Sequence, residues 1–161
     1  MEQVYCKEGH EHHTVSKKDR LIMLLLVVVL AVLFLRPFVA LQNINRGDSF
    51  LNYGFYNRAI LQYKRATLLD SNNEKIYSWL GYAYNKKGDF DNAIESYEKA
   101  VELNPANNEV NLELGIVYYH KYQKTGKRVF YEKAVETFEK IIERDPSNES
   151  VKFMLERLKN N

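Results

Sequence analysis

The chain has 161 residues, enough for one small domain and an appendage. Its 23 basic and 21 acidic side chains leave a net charge of +2, which gives no case for nucleic acid as a partner. A single cysteine, Cys6, excludes an intrachain disulfide and says nothing about the redox compartment.

Residues 1–20 are polar, lack hydrophobic periodicity and are expected to be a disordered tail. Cys6, His10, His12 and His13 lie there in a Cys-x3-His-x-His-His pattern. Two readings stay open: chelation of a soft divalent ion, or a polar tail that is His-rich without any ligand role. No ordered scaffold is visible to fix a zinc geometry, so no metal is assigned.

Residues 21–35, LIMLLLVVVLAVLFL, contain no charged or polar side chain. At the rise of a helix they span about 22 Å, short of the roughly 30 Å hydrocarbon core. Adding residues 36–41 lengthens the segment to about 31 Å, with Arg36 snorkelling at the far interface. The segment is apolar all round, unlike the helices that follow, which argues against a buried core helix. A cleaved leader fits the basic lead, but Phe38 and Ala40 supply only one of the two small residues a cleavage site needs. A transmembrane helix over residues 21–41 is therefore expected, with an exported soluble protein as the alternative. Lys7, Lys17, Lys18 and Arg20 precede the segment, and Arg36 and Arg46 follow it. This bias places the N-terminus in the cytoplasm and residues 42–161 outside it.

From Ala40 a period of 34 residues begins. It relates Gly47, Gly81 and Gly115, and likewise Phe50, Tyr84 and Tyr118. Gly54 and Gly88, Tyr56 and Phe90, Ala59 and Ala93, Tyr63 and Tyr97, Ala66 and Ala100, and Asn73 and Asn107 share it. Repeats are expected over residues 40–73, 74–107 and 108–148. The central one reads as two amphipathic helices. The first carries Tyr77, Leu80, Gly81 and Tyr84 on one face, and Gly88-Asp89 ends it. The second carries Phe90, Ala93, Ile94, Tyr97, Ala100 and Val101, and Pro105 ends it. The small residues permit close approach, with Ala93 expected to cross over Gly81.

This helix–turn–helix unit resembles a tetratricopeptide repeat, on Tyr77, Leu80, Gly81, Tyr84, Gly88, Ala93, Tyr97, Ala100 and Pro105. The resemblance implies an all-α fold: a right-handed superhelical stack of three helix–turn–helix units and a C-terminal capping helix, here preceded by one transmembrane helix. The first repeat departs from the pattern, with Arg46 in place of Leu80 and Leu114 and Ser71 in place of Pro105 and Pro146. A terminal repeat is expected to be atypical because one face meets no neighbour. Pro37 marks an expected kink between the apolar segment and the first repeat helix.

In the third repeat Ala134, Phe138, Ile141 and Pro146 fall 41 residues after their counterparts, an insertion of seven. Seven residues are close to two helical turns, so one turn added to each helix keeps the faces in phase. The tip over residues 123–128, QKTGKR, is basic; it reads as a solvated hairpin tip or as a contact for anionic lipid or a partner. Residues 149–159 carry Val151, Met154, Leu155 and Leu158 on one face, as a capping helix should.

No phosphate loop, GxSxG or HExxH is present, so neither an enzyme, a cofactor nor a small-molecule substrate is expected. His120 has no neighbouring cysteine, and Asp89 and Asp91 read as helix-start residues. The resemblance implies protein–protein recognition, with the first helices lining a concave groove that binds a peptide. Off the core face, spacing projects Asn45, Asp48 and Asn52 from the first repeat. The second gives Ser78, Trp79, Tyr82 and Asn85, and the third Leu112, Glu113, Ile116, Tyr119 and His120. Trp79 reads either as a binding anchor or as packing against the next repeat. One subclass of the family clamps the terminal carboxylate of chaperone tails with cations and asparagines. The positions that match here are Ile44, Asp48, Trp79, Glu109 and Glu113, none cationic, so such a tail is expected to be repelled.

Overall fold

The computed structural model describes residues 16–160. Among them are seven helices: α1 Lys17–Asn52, α2 Tyr56–Leu69, α3 Glu74–Lys87, α4 Phe90–Leu103, α5 Asn108–Thr125, α6 Arg128–Arg144 and α7 Glu149–Lys159. Cys6, His10, His12 and His13 lie outside the described residues. The chain divides into two compact units, one ending at Leu35 and the other starting at Arg36.

The first unit is the apolar start of α1. That helix begins at Lys17, inside the polar lead, and runs on as one helix with Pro37 inside it. An 18-residue window of it has a mean hydropathy of 2.9 and no buried residue. It is long and apolar enough to cross a membrane.

The second unit is a run of helices held by local chemistry at each joint. Asn73, Asp89, Asn107 and Asn148 sit just before α3, α4, α5 and α7, and each side chain accepts a hydrogen bond from a first-turn N–H. Gly88 and Gly126 end α3 and α5 in the left-handed region, at φ 79° and 67°, where a side chain is strained. The inserted residues are divided between two helices: α5 has 18 residues and α6 has 17, against 14 each in α3 and α4.

The core lies where second helices meet first helices. Ala59, Tyr63 and Ala66 of α2, Ala93, Tyr97 and Ala100 of α4, and Ala134, Phe138 and Ile141 of α6 are buried. Gly47, Gly81 and Gly115 touch these helices through a ring in every case: Tyr63, Tyr97 and Phe138 respectively. The nearest neighbour of Gly81 is thus the Tyr97 ring, one turn along α4 from Ala93. A flat ring fills the space that a missing Cβ leaves.

Each internal first helix buries two faces. Leu80, Gly81 and Tyr84 are buried as the spacing predicts, and so are Ile76 and Ala83. Their counterparts Val110 and Val117 are buried in α5. The reason is tertiary: α3 packs on both α2 and α4, so it needs two apolar faces. Helix α7 covers α6 with Val151 and Leu158, and Tyr131 Oη donates to the Leu158 carbonyl at 3.1 Å.

Candidate functional site

The residues projected from the first helices divide into those committed to the scaffold and those left available. Asp48 and Glu113 are committed. Tyr63 Oη donates to Asp48 Oδ1 at 2.6 Å, and Tyr97 Oη reaches Glu113 Oε2 at 3.5 Å. Burial raises the pKa of both phenols, and the neighbouring carboxylate raises it further. Each phenol therefore stays a donor at any ordinary pH. Asp48 accepts a short hydrogen bond and Glu113 a long one, and each links a second helix to a first-helix side chain.

Asn85 and His120 meet across α3 and α5, with Oδ1 and Nδ1 3.4 Å apart. Asn107 Nδ2 donates to Glu74, a second tie between the starts of the same two helices. These bonds hold successive first helices side by side.

Trp79 is available, and Tyr82 beside it is half-buried. Trp79 is 43% exposed, large for the chain's one tryptophan. Its ring meets Tyr82 edge-on, with centroids 6.4 Å apart and planes at 89°. Lys86 Nζ lies 5.0 Å from the Tyr82 ring centre, close enough for cation–π attraction. A row of indole, phenol and ammonium is thus presented by one helix. Ser78 is half-buried beside them, while Asn45 and Asn52 are exposed and take no part in these pairs.

Ile116 and Tyr119 of α5 open into a hollow of about 250 Å³ completed by Gln123, Phe138, Met154, Arg157 and Leu158. Most of these lining residues lie outside the sequence projection, because the spacing of α7 predicts a cap and not the wall of a hollow. Its i, i+3, i+4 pattern was the available signal: a helix that covers α6 also stands beside α5.

Residues 47–88 and 81–121 match a family model described as TPR repeat, and residues 131–148 match one described as tetratricopeptide repeat. The chain carries tetratricopeptide repeats. No curated protein matches it. Among solved structures it is similar to the Arabidopsis OM64 TPR domain, at 20% identity over 78% of this chain and 98% of that one, with a TM-score of 0.67. It is similar to the second TPR domain of human RPAP3 in complex with the HSP70 peptide SGPTIEEVD, at 22% identity, 77% and 98% coverage, and a TM-score of 0.67. MamA is a third, at 24% identity, 76% and 67% coverage, and a TM-score of 0.65. At these identities the likeness is one of fold.

The tetratricopeptide frame makes the hollow intelligible. Phe138 stands at the repeat position of Tyr63 and Tyr97. Without a hydroxyl it ties no first-helix carboxylate and leaves an apolar floor between α5 and α7. Among the described residues no cluster of His, Cys, Asp or Glu could hold a metal ion.

Proposed function

We propose that the chain is a single-pass membrane protein that captures a partner protein with its tetratricopeptide repeats. Residues 21–41 serve as the anchor, with the N-terminus in the cytoplasm and the repeats outside it. The repeats take an extended peptide of the partner across α1, α3 and α5, and so recruit or organise a complex at the membrane. The observation that carries this reading is the exposed Trp79 set edge-on against the half-buried Tyr82 on the best-formed repeat. Trp and Tyr are enriched among the residues that carry most of the energy of an interface. Asn45, Asn52, Ser78 and Asn85 supply hydrogen-bonding groups for a peptide backbone, and Ile116 and Tyr119 supply apolar contact.

The ligand class follows from charge. Asp48, Glu109 and Glu113 occupy the positions where carboxylate-clamping relatives carry cations or asparagines. A neutral or basic segment with an apolar or aromatic anchor suits this face. A peptide such as SRMEEVD, which the first TPR of Spaghetti (RPAP3) holds as an HSP90 peptide, does not. The test is crosslinking and pull-down from native membranes with the parent chain and with Trp79→Ala/Tyr82→Ala. The variant is expected to lose the partner while its helical circular dichroism is unchanged. Undiminished capture would remove this face from the account. Intact-mass measurement of the mature protein checks the anchor, since loss of the first 40 or so residues would mean a cleaved leader.

A further inference from the structure

The solvent face of α2 differs in chemistry from the equivalent faces of the other two second helices. Leu61 and Leu68 lie two turns apart on one stripe of α2 and are 48% and 78% exposed. At the same repeat positions α4 has Glu95 and Glu102, and α6 has Glu136 and Glu143, all exposed. Glutamate is the choice of a helix that faces water. Leucine at both positions is the choice of a helix that is covered.

Charge changes in the same direction. Helix α2 contains Arg58, Lys64 and Arg65 and no acidic residue. Its counterpart α4 contains Asp91, Glu95, Glu98 and Glu102 against Lys99 alone. The preceding turn repeats the swap: Tyr53 and Phe55 are 78% and 53% exposed, where the second repeat has Lys87 and Asp89. Four solvent positions that are charged in the second repeat are thus apolar in the first. Exposed leucines flanked by arginines, with aromatic residues beside them, match the chemistry of the headgroup layer. There apolar groups enter the acyl boundary and cations meet phosphate.

We propose that the solvent face of α2 lies on an anionic lipid surface, with Leu61 and Leu68 at the headgroup boundary and Arg58 and Arg65 on the phosphates. This rests on the reading of residues 21–41 as a membrane anchor, which starts the first repeat within a short stretch of chain from the bilayer. Charge decides for lipid over a second copy through this face, because two α2 helices would set arginine against arginine.

The test uses the full chain in vesicles, in a Cys6→Ser background, with an environment-sensitive fluorophore on Leu68→Cys. The same label on Glu102→Cys serves as the reference. Vesicles contain phosphatidylcholine alone or with phosphatidylglycerol, with and without a lipid-borne quencher. With phosphatidylglycerol, the label at position 68 is expected to shift to the blue and be quenched by lipid, while that at 102 stays in water. Arg58→Glu/Arg65→Glu is expected to abolish the shift. A label at 68 as wet as that at 102, on chain that still floats with the vesicles, overturns the proposal and leaves the anchor standing. Chain that does not float removes the anchor reading itself. A blue shift that ignores lipid charge and grows with the protein-to-lipid ratio assigns the face to a protein contact and also overturns the proposal.

Discussion

Gly81→Ala tests the packing rule on which the whole stack is built. A Cβ at this position would lie 2.8 Å from Tyr97 Cδ2, 2.9 Å from Cγ and 3.0 Å from Cδ1. Unstrained carbon contacts start near 3.5 Å. The ring cannot swing clear, because Cγ is its point of attachment and the side chain is wholly buried. Overpacking of this kind costs about 1–3 kcal/mol. Alanine returns about 1 kcal/mol through its better helix propensity. With three ring atoms inside contact distance the cost falls in the upper part of its range, leaving a net loss of about 1–2 kcal/mol. Urea unfolding of the detergent-solubilised chain, followed by the fluorescence of Trp79, reads this as a lower midpoint. In a Tyr97→Leu background the ring is gone, and the same substitution is expected to become neutral or stabilising. A raised midpoint in the parent, or an equal loss in the Tyr97→Leu background, would refute the ring-on-glycine account.

Three further outcomes follow from the same contacts. Tyr63, Tyr97 and Tyr118 have pKa values raised chiefly by burial, then by Asp48, Glu113 and Glu98. The unfolded chain ionises these phenols near pH 10 and the folded chain does not, so stability is complete below that pH and falls above it. Phenolate absorbance should show Tyr63, Tyr97 and Tyr118 titrating only as helicity is lost, and free titration of these three in folded protein would contradict their burial. Deleting residues 149–161 removes Val151 and Leu158 from α6 and exposes Phe138 and Ile141. The truncated chain should melt at lower temperature or aggregate, and an unchanged melting curve would deny α7 its capping role. Protease applied to intact cells should cut the repeat domain and spare the N-terminus, whereas protected repeats would reverse the orientation.

Periodicity alone carried the repeat register, the hairpin turns, the seven-residue insertion and the apolar stretch. These are properties of single helices, where one face faces core and the other faces water, and spacing reads them directly. Asn73, Asn107 and Asn148 stand just before helices because a capping side chain acts on its own chain within three residues. What spacing could not supply was anything set by a neighbour. Ile76 and Ala83 are buried because α3 has helices on two sides, and no single-helix pattern encodes a second neighbour. Asp48 and Glu113 are placed on the first helices by spacing, but the buried tyrosine hydroxyl beside each is set by the fold. The spacing shows that room is left at Gly81, but not that the Tyr97 ring is what fills it. The hollow over Phe138 exists only because α7 stands beside α5. The sequence by itself determined which residues are helical and which faces are apolar, since both depend on contacts a few residues apart. Only the tertiary structure decided which apolar faces are filled, which charges are spent on the scaffold and which, like Trp79 and the leucines of α2, remain exposed. Those outcomes depend on which helices pack together, and residues far apart in the chain decide that.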